Sequence, residues 1–200
     1  MSNATNLIFF LTDNHARSVL GCYGHPIVKT PNLDKIAETG VRFTNAYCAS
    51  PLCCPSRAAL ATGLFPHQTG YWDNYFAYNG GYPSWHGWLR DQGRTAVAVG
   101  KLHYLSNEIA QGFTGEVNTM HIHKGTGDLV GLLRGTEAGV PERMSFRNMY
   151  GKSGIGEAPY QKYDLDVTKS AIGWLKDEAP KQKQPWVLLV SYASPHPPFT

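Results

Sequence analysis

Short apolar runs alternate along this chain with amphipathic stretches, and the two patterns predict different elements. The apolar runs cover residues 6–12, 94–99 and 186–192, and residues 41–47 are also strand-like. Continuous apolar runs of this length are typical of strands that are buried on both faces of a parallel sheet. The pattern therefore predicts four strands.

The stretches between these runs contain the residues that begin and end helices. Each of the first three predicted helices has proline in its first turn or serine or threonine as a cap, and glycine follows each one. The fourth has an apolar face. The predicted helices begin at residues 31, 55, 85 and 164 and end at residues 39, 62, 92 and 178. Residues 104–160 are rich in glycine and polar residues, so no long element is predicted there.

Strands that alternate with helices predict an α/β fold with a mostly parallel central sheet flanked by helices. In such sheets the ligand site lies beyond the carboxyl ends of the strands. Polar residues follow three of the predicted strands: Asp13 and Asn14, Lys101 and His103, and His196. We expect these side chains to lie together at one edge of the sheet.

A cysteine-rich motif, Cys53-Cys54-Pro55-Ser56-Arg57, lies at the start of the second predicted helix. A helix N-terminus presents free N–H groups and a partial positive charge, so it favours anions. If the helix reaches back to Cys53, the Arg57 side chain shares its face, because four residues separate them. This pattern predicts a nucleophile beside a cation, which suits attack on a tetrahedral oxyanion ester.

The motif, followed by residues 58–63, resembles the signature of the sulfatase family, whose motif cysteine is oxidised to formylglycine by a dedicated enzyme. Only Cys53 has the family spacing, two residues before the proline and four before the arginine. Further matches to the family occur in family order over nearly the whole chain. They lie at residues 12–14, 30–34, 100–103 and 195–198. The resemblance implies an alkaline-phosphatase-like fold and an N-terminal portion of the catalytic domain over residues 1–200, without the C-terminal remainder.

The resemblance also implies a metal site and a modified nucleophile. Asp13, Asn14 and residue 53 would hold a divalent metal. Carboxylate and amide oxygens favour Ca²⁺ most, with Mg²⁺ or Mn²⁺ as alternatives. Many members have two adjacent aspartates where this chain has Asp13 and Asn14. Cys53, converted to formylglycine, would attack the sulfur of the ester.

The remaining matched residues are expected to handle charge and protons. Arg57, Lys101 and His196 would offset the charge of the transferring group, and His103 would be the base that expels sulfate. Lys101 and His196 would bind the substrate together with Asn74. Residues 72–74 look most like the branch of phosphonate monoester hydrolases and choline sulfatases, where the matching asparagine contacts the substrate's charged group.

The function implied by the resemblance is hydrolysis of sulfuric ester bonds. A phosphonate monoester or phosphodiester hydrolase on the same scaffold is the alternative, and the number of cations at the site would bias the choice between them. The expected partners are a small sulfate or phosphonate ester and the formylglycine-generating enzyme. A homo-oligomer would be compatible with the aromatic cluster over residues 71–88, for which core packing is the other interpretation.

Different classes of function remain open from the residues alone. Cys48, Cys53, Cys54 and a histidine could form a zinc module, although their spacing fits no common structural zinc pattern. A catalytically inactive binding fragment is a further alternative. The cysteines could also be plain buried residues, Asp13-Asn14 a turn, and His196 a loop residue.

Length, composition and charge exclude only a few classes of function. A length of 200 residues, 42% hydrophobic and 16% charged, is typical of one globular domain. The net charge of +3 is small and dispersed, which argues against nucleic acid. The apolar run at residues 7–11 is too short to span a membrane. The four cysteines demand no disulfide, so we expect a cytoplasmic location, with a periplasmic or secreted one as the alternative if a leader has been removed. His121 and His123 are expected in a surface loop.

Overall fold

A four-stranded parallel sheet forms the centre of the fold. In this computed structural model, the structure describes residues 5–106, 111–122 and 153–199. The strands are β1 (Leu7–Leu11), β2 (Thr95–Lys101), β3 (Gly115–Met120) and β4 (Trp186–Ser191), in the order β1-β4-β2-β3. Every described strand pair is parallel, which confirms the predicted α/β architecture.

All four predicted helices are present, and two of them begin earlier than predicted. The helices are α1 (Pro31–Thr39), α2 (Cys53–Thr62), α3 (Pro66–Thr69), α4 (Trp85–Asp91) and α5 (Pro159–Asp177). Because α2 begins at Cys53, the motif cysteine lies within the first helical turn. Helix α5 begins with proline at Pro159, where its missing N–H costs nothing. The short α3 was not predicted.

The prediction of a strand over residues 41–47 was wrong. This segment has no regular secondary structure, and Val41, Phe43 and Tyr47 are all exposed. An apolar run forms a strand only where a neighbouring strand can accept its hydrogen bonds, and no described strand pairs with this segment. Its backbone is held instead by side chains, since the Tyr23 hydroxyl donates to the Phe43 carbonyl at 2.6 Å.

Strand β3 was missed because its sequence, GEVNTM, is mostly polar. It forms because β2 offers an open edge, against which Val97 pairs with Gly115 and Val99 with Val117. Pairing along an edge can override a weak strand propensity. The last residue of β3 also matters for the site, because the Met120 carbonyl accepts hydrogen bonds from the backbone N–H groups of Leu102 and His103 at 2.9 Å.

The two central strands of the sheet, β2 and β4, are covered on both faces. On one face, alternate residues of β2 and β4 pack against α5, and on the other face Ala98 and Leu189 pack against α2 and a group of tyrosines. The α5 side contains Val97, Val99, Leu188, Val190, Val167, Ala171 and Trp174. Tyr71 and Tyr78 of the aromatic cluster are buried, as expected for core packing, whereas Trp72 and Trp88 are exposed.

Gly100 is expected to be essential for the end of β2. It lies in a bulge between Val99 and Lys101 with a φ of +94°, and an added Cβ would lie 2.1 Å from the Ser191 carbonyl oxygen. We expect Gly100→Ala to lower the free energy of unfolding by about 2–6 kcal/mol, from backbone strain and overpacking. Denaturant unfolding measures this.

The matched control is Gly173→Ala in α5, where an added Cβ meets no atom within 4 Å. Alanine has the higher helix propensity, so this variant is expected to gain about 0.5–1 kcal/mol. Equal stability of the two variants would contradict the role assigned to Gly100.

Candidate active site

Three strand ends and the start of α2 meet at the carboxyl edge of the sheet. Asp13 follows β1, Lys101 ends β2 and Ser191 ends β4, while Cys53 and Arg57 lie one turn apart on α2. This is the edge at which the sequence predicted a site. The residues come from distant parts of the chain, and the sheet order places β4 between β1 and β2 so that their ends are neighbours.

A buried ion cluster lies at the centre of this edge. Asp13 Oδ2 accepts hydrogen bonds from Lys101 Nζ at 2.7 Å and from Arg57 Nη2 at 3.1 Å. Arg57 Nη1 donates to Ser191 Oγ at 3.0 Å and also to the Lys101 carbonyl. The three charged side chains are 8% exposed or less. Two cations against one carboxylate leave a net positive charge beneath the cleft, which favours an anionic ligand.

Asp13 is ionised at neutral pH. Burial alone would raise its pKa, but the charges and hydrogen bonds of Lys101 and Arg57 outweigh burial and lower the pKa below its ordinary value. The carboxylate therefore serves as the counter-ion of both cations. Its second oxygen, Oδ1, faces the sulfur of Cys53 at 4.0 Å.

The two adjacent cysteines have different environments. Cys53 lines a cleft of about 380 Å³ together with Asp13 and Asn14, whereas the Cys54 side chain is 1% exposed in the interior. Burial raises the pKa of Cys53, with Lys101 opposing the shift, and burial raises the pKa of Cys54 to about 12. Neither is a thiolate at neutral pH, and only residue 53 can meet a ligand in the cleft.

Asn74 supports the start of α2. Its Oδ1 accepts a hydrogen bond from the Cys54 backbone N–H at 3.0 Å, which satisfies one of the free donors of the first turn. Within the described residues its amide nitrogen has no hydrogen-bond partner. The sequence predicted a substrate contact for Asn74, and the amide nitrogen is the atom that could make it.

Two substitutions separate these roles of Asn74. Asn74→Ala removes the cap and is expected to lower the free energy of unfolding by about 0.5–2 kcal/mol. Asn74→Asp keeps the acceptor oxygen and adds a negative charge at a helix N-terminus, so stability should be retained. Because that charge would repel an anionic substrate, we expect a higher KM for the aspartate variant. Denaturant unfolding and steady-state kinetics measure the two effects, and an aspartate variant with an unchanged KM would contradict the substrate contact.

His103 is held rigidly beside the ion cluster. It adopts a φ of +53° just after β2, with its backbone N–H bound to the Met120 carbonyl. Burial lowers its pKa well below the ordinary value, and the positive charges of Lys101 and Arg57 lower it further. The imidazole is therefore neutral at pH 7. Its Nδ1 is buried without a partner in the described parts of the chain, so it can accept a proton.

His196 lies in the loop after β4, with a ring nitrogen within 4.8 Å of the donor atoms of Asp13 and Cys53. Its Nδ1 is 2.8 Å from the Pro197 carbonyl, and because a carbonyl can only accept, Nδ1 donates and Nε2 is left for the site. Burial lowers the pKa of His196, and Lys101 lowers it further. An anion bound beside the ring would oppose this shift and favour the protonated form.

Asp13, Cys53 and His196 form a group that could hold a metal. Their ligand atoms lie within 4.8 Å of one another, and the described ranges contain no other group of three or more His, Cys, Asp or Glu side chains arranged in this way. The alternative zinc module would need Cys48 and Cys54, and neither belongs to this group.

The donors fit one side of a divalent-metal site. Asp13 Oδ1 makes no ion pair with any described residue. The exposed Asn14 follows it with a φ of +59° and lines the cleft. If residue 53 is oxidised and hydrated, oxygen atoms replace its sulfur. The set from residues 13, 14 and 53 is then rich in oxygen, as a hard cation requires.

Sequence reasoning missed three residues at this edge. Ser191 ends an apolar strand and gave no polar signal. Tyr160 was missed because α5 was predicted to begin only at residue 164. Asp164 was missed because its partners, the backbone N–H groups of Ala193 and Ser194, lie about 30 residues further along the chain. Burial raises the pKa of Tyr160, and the charge of Asp13 raises it further. The Tyr160 ring packs against the His196 ring, with centroids 5.5 Å apart.

His121 and His123 were expected in a surface loop. His121 lies just after β3, where its Nε2 is 2.9 Å from Glu116 Oε2. Its side chain is only 8% exposed, so the expected surface position of His121 was wrong. His123 lies outside the described residues.

Comparison with known proteins decides the family. The Sulfatase family model matches residues 5–200. This chain belongs to the Sulfatase family.

Arylsulfatase K of Homo sapiens is 30% identical to this sulfatase chain over 196 residues, which are 98% of this chain and 34% of that protein. The N-acetylglucosamine-6-O-sulfatase of Bacteroides thetaiotaomicron is 40% identical over 108 residues, 54% of this chain and 19% of that protein. The sulfatase chain thus spans about a third or less of the length of these relatives.

Solved structures confirm the alkaline-phosphatase-like fold of this sulfatase. One, in complex with its substrate D-glucosamine-2-N,6-O-disulfate, has a TM-score of 0.68 and 27% identity, over 96% of this chain and 35% of that one. The phosphonate monoester hydrolase of Agrobacterium radiobacter has a TM-score of 0.66 and 23% identity, over 98% and 42%. Within the described ranges, no helix of the sulfatase is long and apolar enough to cross a membrane.

Proposed function

We propose that the protein to which this chain belongs hydrolyses sulfuric ester bonds. The observation that supports this most strongly is the buried cluster of Asp13, Lys101 and Arg57 directly below Cys53. Burying three charged side chains costs desolvation free energy unless they are paired with one another. Here the pairing leaves one excess positive charge at a cleft that opens beside the motif cysteine. A sulfate monoester is an anion, and a cleft with net positive charge attracts it.

The proposed cofactors are a formylglycine made from Cys53 and a divalent metal, Ca²⁺ in the first instance. Sulfatases as a family use both. Asp13, Asn14 and residue 53 would hold the metal on this side of the site. When bound, the two groups supply a hydrated aldehyde as the nucleophile and a Lewis acid that polarises the ester oxygens.

The cations of the cluster are proposed to stabilise the transferring group. Lys101 Nζ binds Asp13 through one of its protons, and an ammonium has two more to offer to an anionic oxygen. Arg57 is bound to Asp13, Ser191 and the Lys101 carbonyl, so its guanidinium is fixed before any ligand arrives. Preorganised donors of this kind stabilise charge without reorganisation during the reaction.

The two histidines near the cluster are proposed to have different roles. His103 is neutral at neutral pH and has an unpartnered buried nitrogen, as a general base requires. His196 is oriented by its bond to the Pro197 carbonyl, so that Nε2 can contact the substrate's charged group.

Matched esters test the proposed reaction. The full-length protein, produced together with a formylglycine-generating enzyme, would be assayed with an aryl sulfate and an aryl phosphonate that share one leaving group. We expect the larger kcat/KM for the sulfate. A larger value for the phosphonate would contradict the proposal and favour the phosphonate monoester alternative. Sulfated sugars are the natural candidates to assay next, because the N-acetylglucosamine-6-O-sulfatase named above is among the relatives.

A further inference from the structure

Asp164 of α5 binds the backbone of the loop that follows β4. Its Oδ1 accepts the Ala193 N–H and its Oδ2 accepts the Ser194 N–H, both at 2.7 Å. Bonds this short to a carboxylate are charge-assisted and stronger than neutral ones. One side chain therefore satisfies two consecutive backbone donors, which fixes the direction in which the chain leaves the sheet.

The same loop turns directly into His196. The His196 backbone N–H donates to the Ala193 carbonyl at 3.0 Å, which closes a tight turn over residues 193–196. Asp164 holds the first two residues of this turn, and the imidazole is carried by the last one. A displacement at Ala193 would consequently displace the ring.

Two neighbours of Asp164 on α5 contact the same segment. The Tyr160 ring packs edge-on against the His196 ring, with centroids 5.5 Å apart and an interplanar angle of 85°. The Thr168 hydroxyl is 3.3 Å from the Tyr192 hydroxyl. Residues 160, 164 and 168 are spaced by four, so they form one ridge along the helix.

The contacts of Asp164 and Tyr160 differ from those that attach α5 to the sheet. Val167, Ala171 and Trp174 pack into the core and supply the apolar burial. The ridge instead adds polar and ring contacts to a single loop, whose histidine lies within 4.8 Å of the Asp13 and Cys53 donors. That difference indicates a role in placing His196 rather than in docking the helix.

We propose that Asp164 and Tyr160 are positioning residues, which hold His196 at the geometry needed to contact the substrate's charged group. Asp164 fixes the backbone of the turn and Tyr160 fixes the plane of the ring. The proposal rests on the proposed function, in which His196 binds the substrate. Neither residue touches the substrate itself.

The Asp164→Asn variant tests whether Asp164 fixes the backbone of the turn. Asparagine keeps one acceptor oxygen but turns an N–H₂ group toward the second amide, so one bond is lost. We expect kcat/KM for the aryl sulfate to fall on the order of 10- to 100-fold, since small displacements at a reacting site have effects of that size. The matched control is Asp166→Asn, two residues along the helix, where the exposed carboxylate binds Lys169 at 2.9 Å and no other described residue. The control should keep the parent activity.

A double-mutant cycle separates positioning from general loss of structure. If Asp164 acts through His196, Asp164→Asn should cause no further loss in a His196→Ala background. Multiplicative losses would overturn the proposal. Variants of Tyr160 provide an independent test if the Asp164→Asn protein folds poorly. Tyr160→Ala should lower kcat/KM, whereas Tyr160→Phe keeps the ring and should restore most of it, and equal loss in both would also overturn the proposal.

Hydrogen exchange distinguishes failure of this inference from failure of the proposed function. In the full-length protein, the peptide covering residues 190–199 should exchange faster in Asp164→Asn than in the parent and in Asp166→Asn. If the parent hydrolyses no sulfate ester and this exchange difference appears, the proposed function fails while the Asp164 bonds to the turn stand. If the exchange rates are equal, the positioning role of Asp164 is refuted, whether or not the parent protein hydrolyses a sulfate ester.

Discussion

Cys53→Ala is expected to abolish turnover, whereas Cys54→Ala should largely preserve it. Residue 53 lines the cleft and faces Asp13 Oδ1, and it is the proposed nucleophile. Removing a nucleophile costs a factor on the order of 10⁴ or more in kcat. Cys54 is buried and presents only its backbone N–H to Asn74, a bond that alanine retains. Steady-state kinetics on both variants measure the contrast.

The same residues predict a chemical difference between the two cysteines. In protein made with an active modifying enzyme, residue 53 should carry an aldehyde and Cys54 an intact thiol. Burial raises the pKa of the Cys53 thiol, so the unmodified side chain is a poor nucleophile at neutral pH. A thiol adduct would also need an outside water to release the sulfate, whereas a hydrated aldehyde has a second hydroxyl on the same carbon.

Mass spectrometry of the tryptic peptide over residues 43–57 decides this point, because trypsin cleaves after Arg42 and Arg57 and at no site between them. An active enzyme with unmodified thiols at both positions would refute the formylglycine mechanism. Loss of activity in Cys54→Ala with an intact aldehyde at residue 53 would show instead that packing behind the helix controls the nucleophile.

The local signals in the sequence were sufficient for most of the fold. Pro55 and Gly63 indicated where α2 begins and ends, and the apolar runs before Asp13 and His196 predicted β1 and β4. These elements are specified by residues close together in the chain, so their periodicity and caps are readable. The shared position of polar residues after strands then located the site, because parallel strands meet at one edge.

The parts that could not be predicted depend on contacts between distant residues. Strand β3 has no strand-like composition and forms only because β2 offers a free edge. The bond from Asn74 to Cys54 joins residues 20 positions apart, and those from Asp164 to the β4 loop join residues about 30 apart. No periodicity encodes such pairs. They become visible only when the sheet order brings the segments together.

Asp13→Ala is expected to lose activity, metal and stability together. The substitution leaves Lys101 and Arg57 buried without their counter-ion, and breaking a buried pair in this way costs about 3–5 kcal/mol. It also removes the only carboxylate of the group formed by Asp13, Cys53 and His196, so a divalent cation would lose its anionic ligand on this side. Unfolding in denaturant with a chelator present measures the electrostatic loss alone, and elemental analysis measures the metal.

The pH dependence of that stability loss identifies its cause. Lys101 and Arg57 hold the pKa of Asp13 in the folded state below its ordinary value despite burial. The ionised carboxylate therefore contributes its full stability above the pKa of an unfolded aspartate, about 3.9. That contribution is lost as the pH falls through the folded-state pKa. The difference between parent and Asp13→Ala should thus be largest near neutral pH and shrink in acid.

Asn14→Asp is the matched control for the metal. Its backbone has a φ of +59°, which aspartate tolerates as well as asparagine does, and its side chain is exposed outside the ion cluster. The fold should therefore be retained, and the second carboxylate should bind the metal at least as tightly as the parent. If Asp13→Ala keeps its full metal content, Asp13 is not the metal ligand. If the stability deficit of Asp13→Ala does not change between neutral and acid pH, Asp13 is not the counter-ion that the cluster indicates.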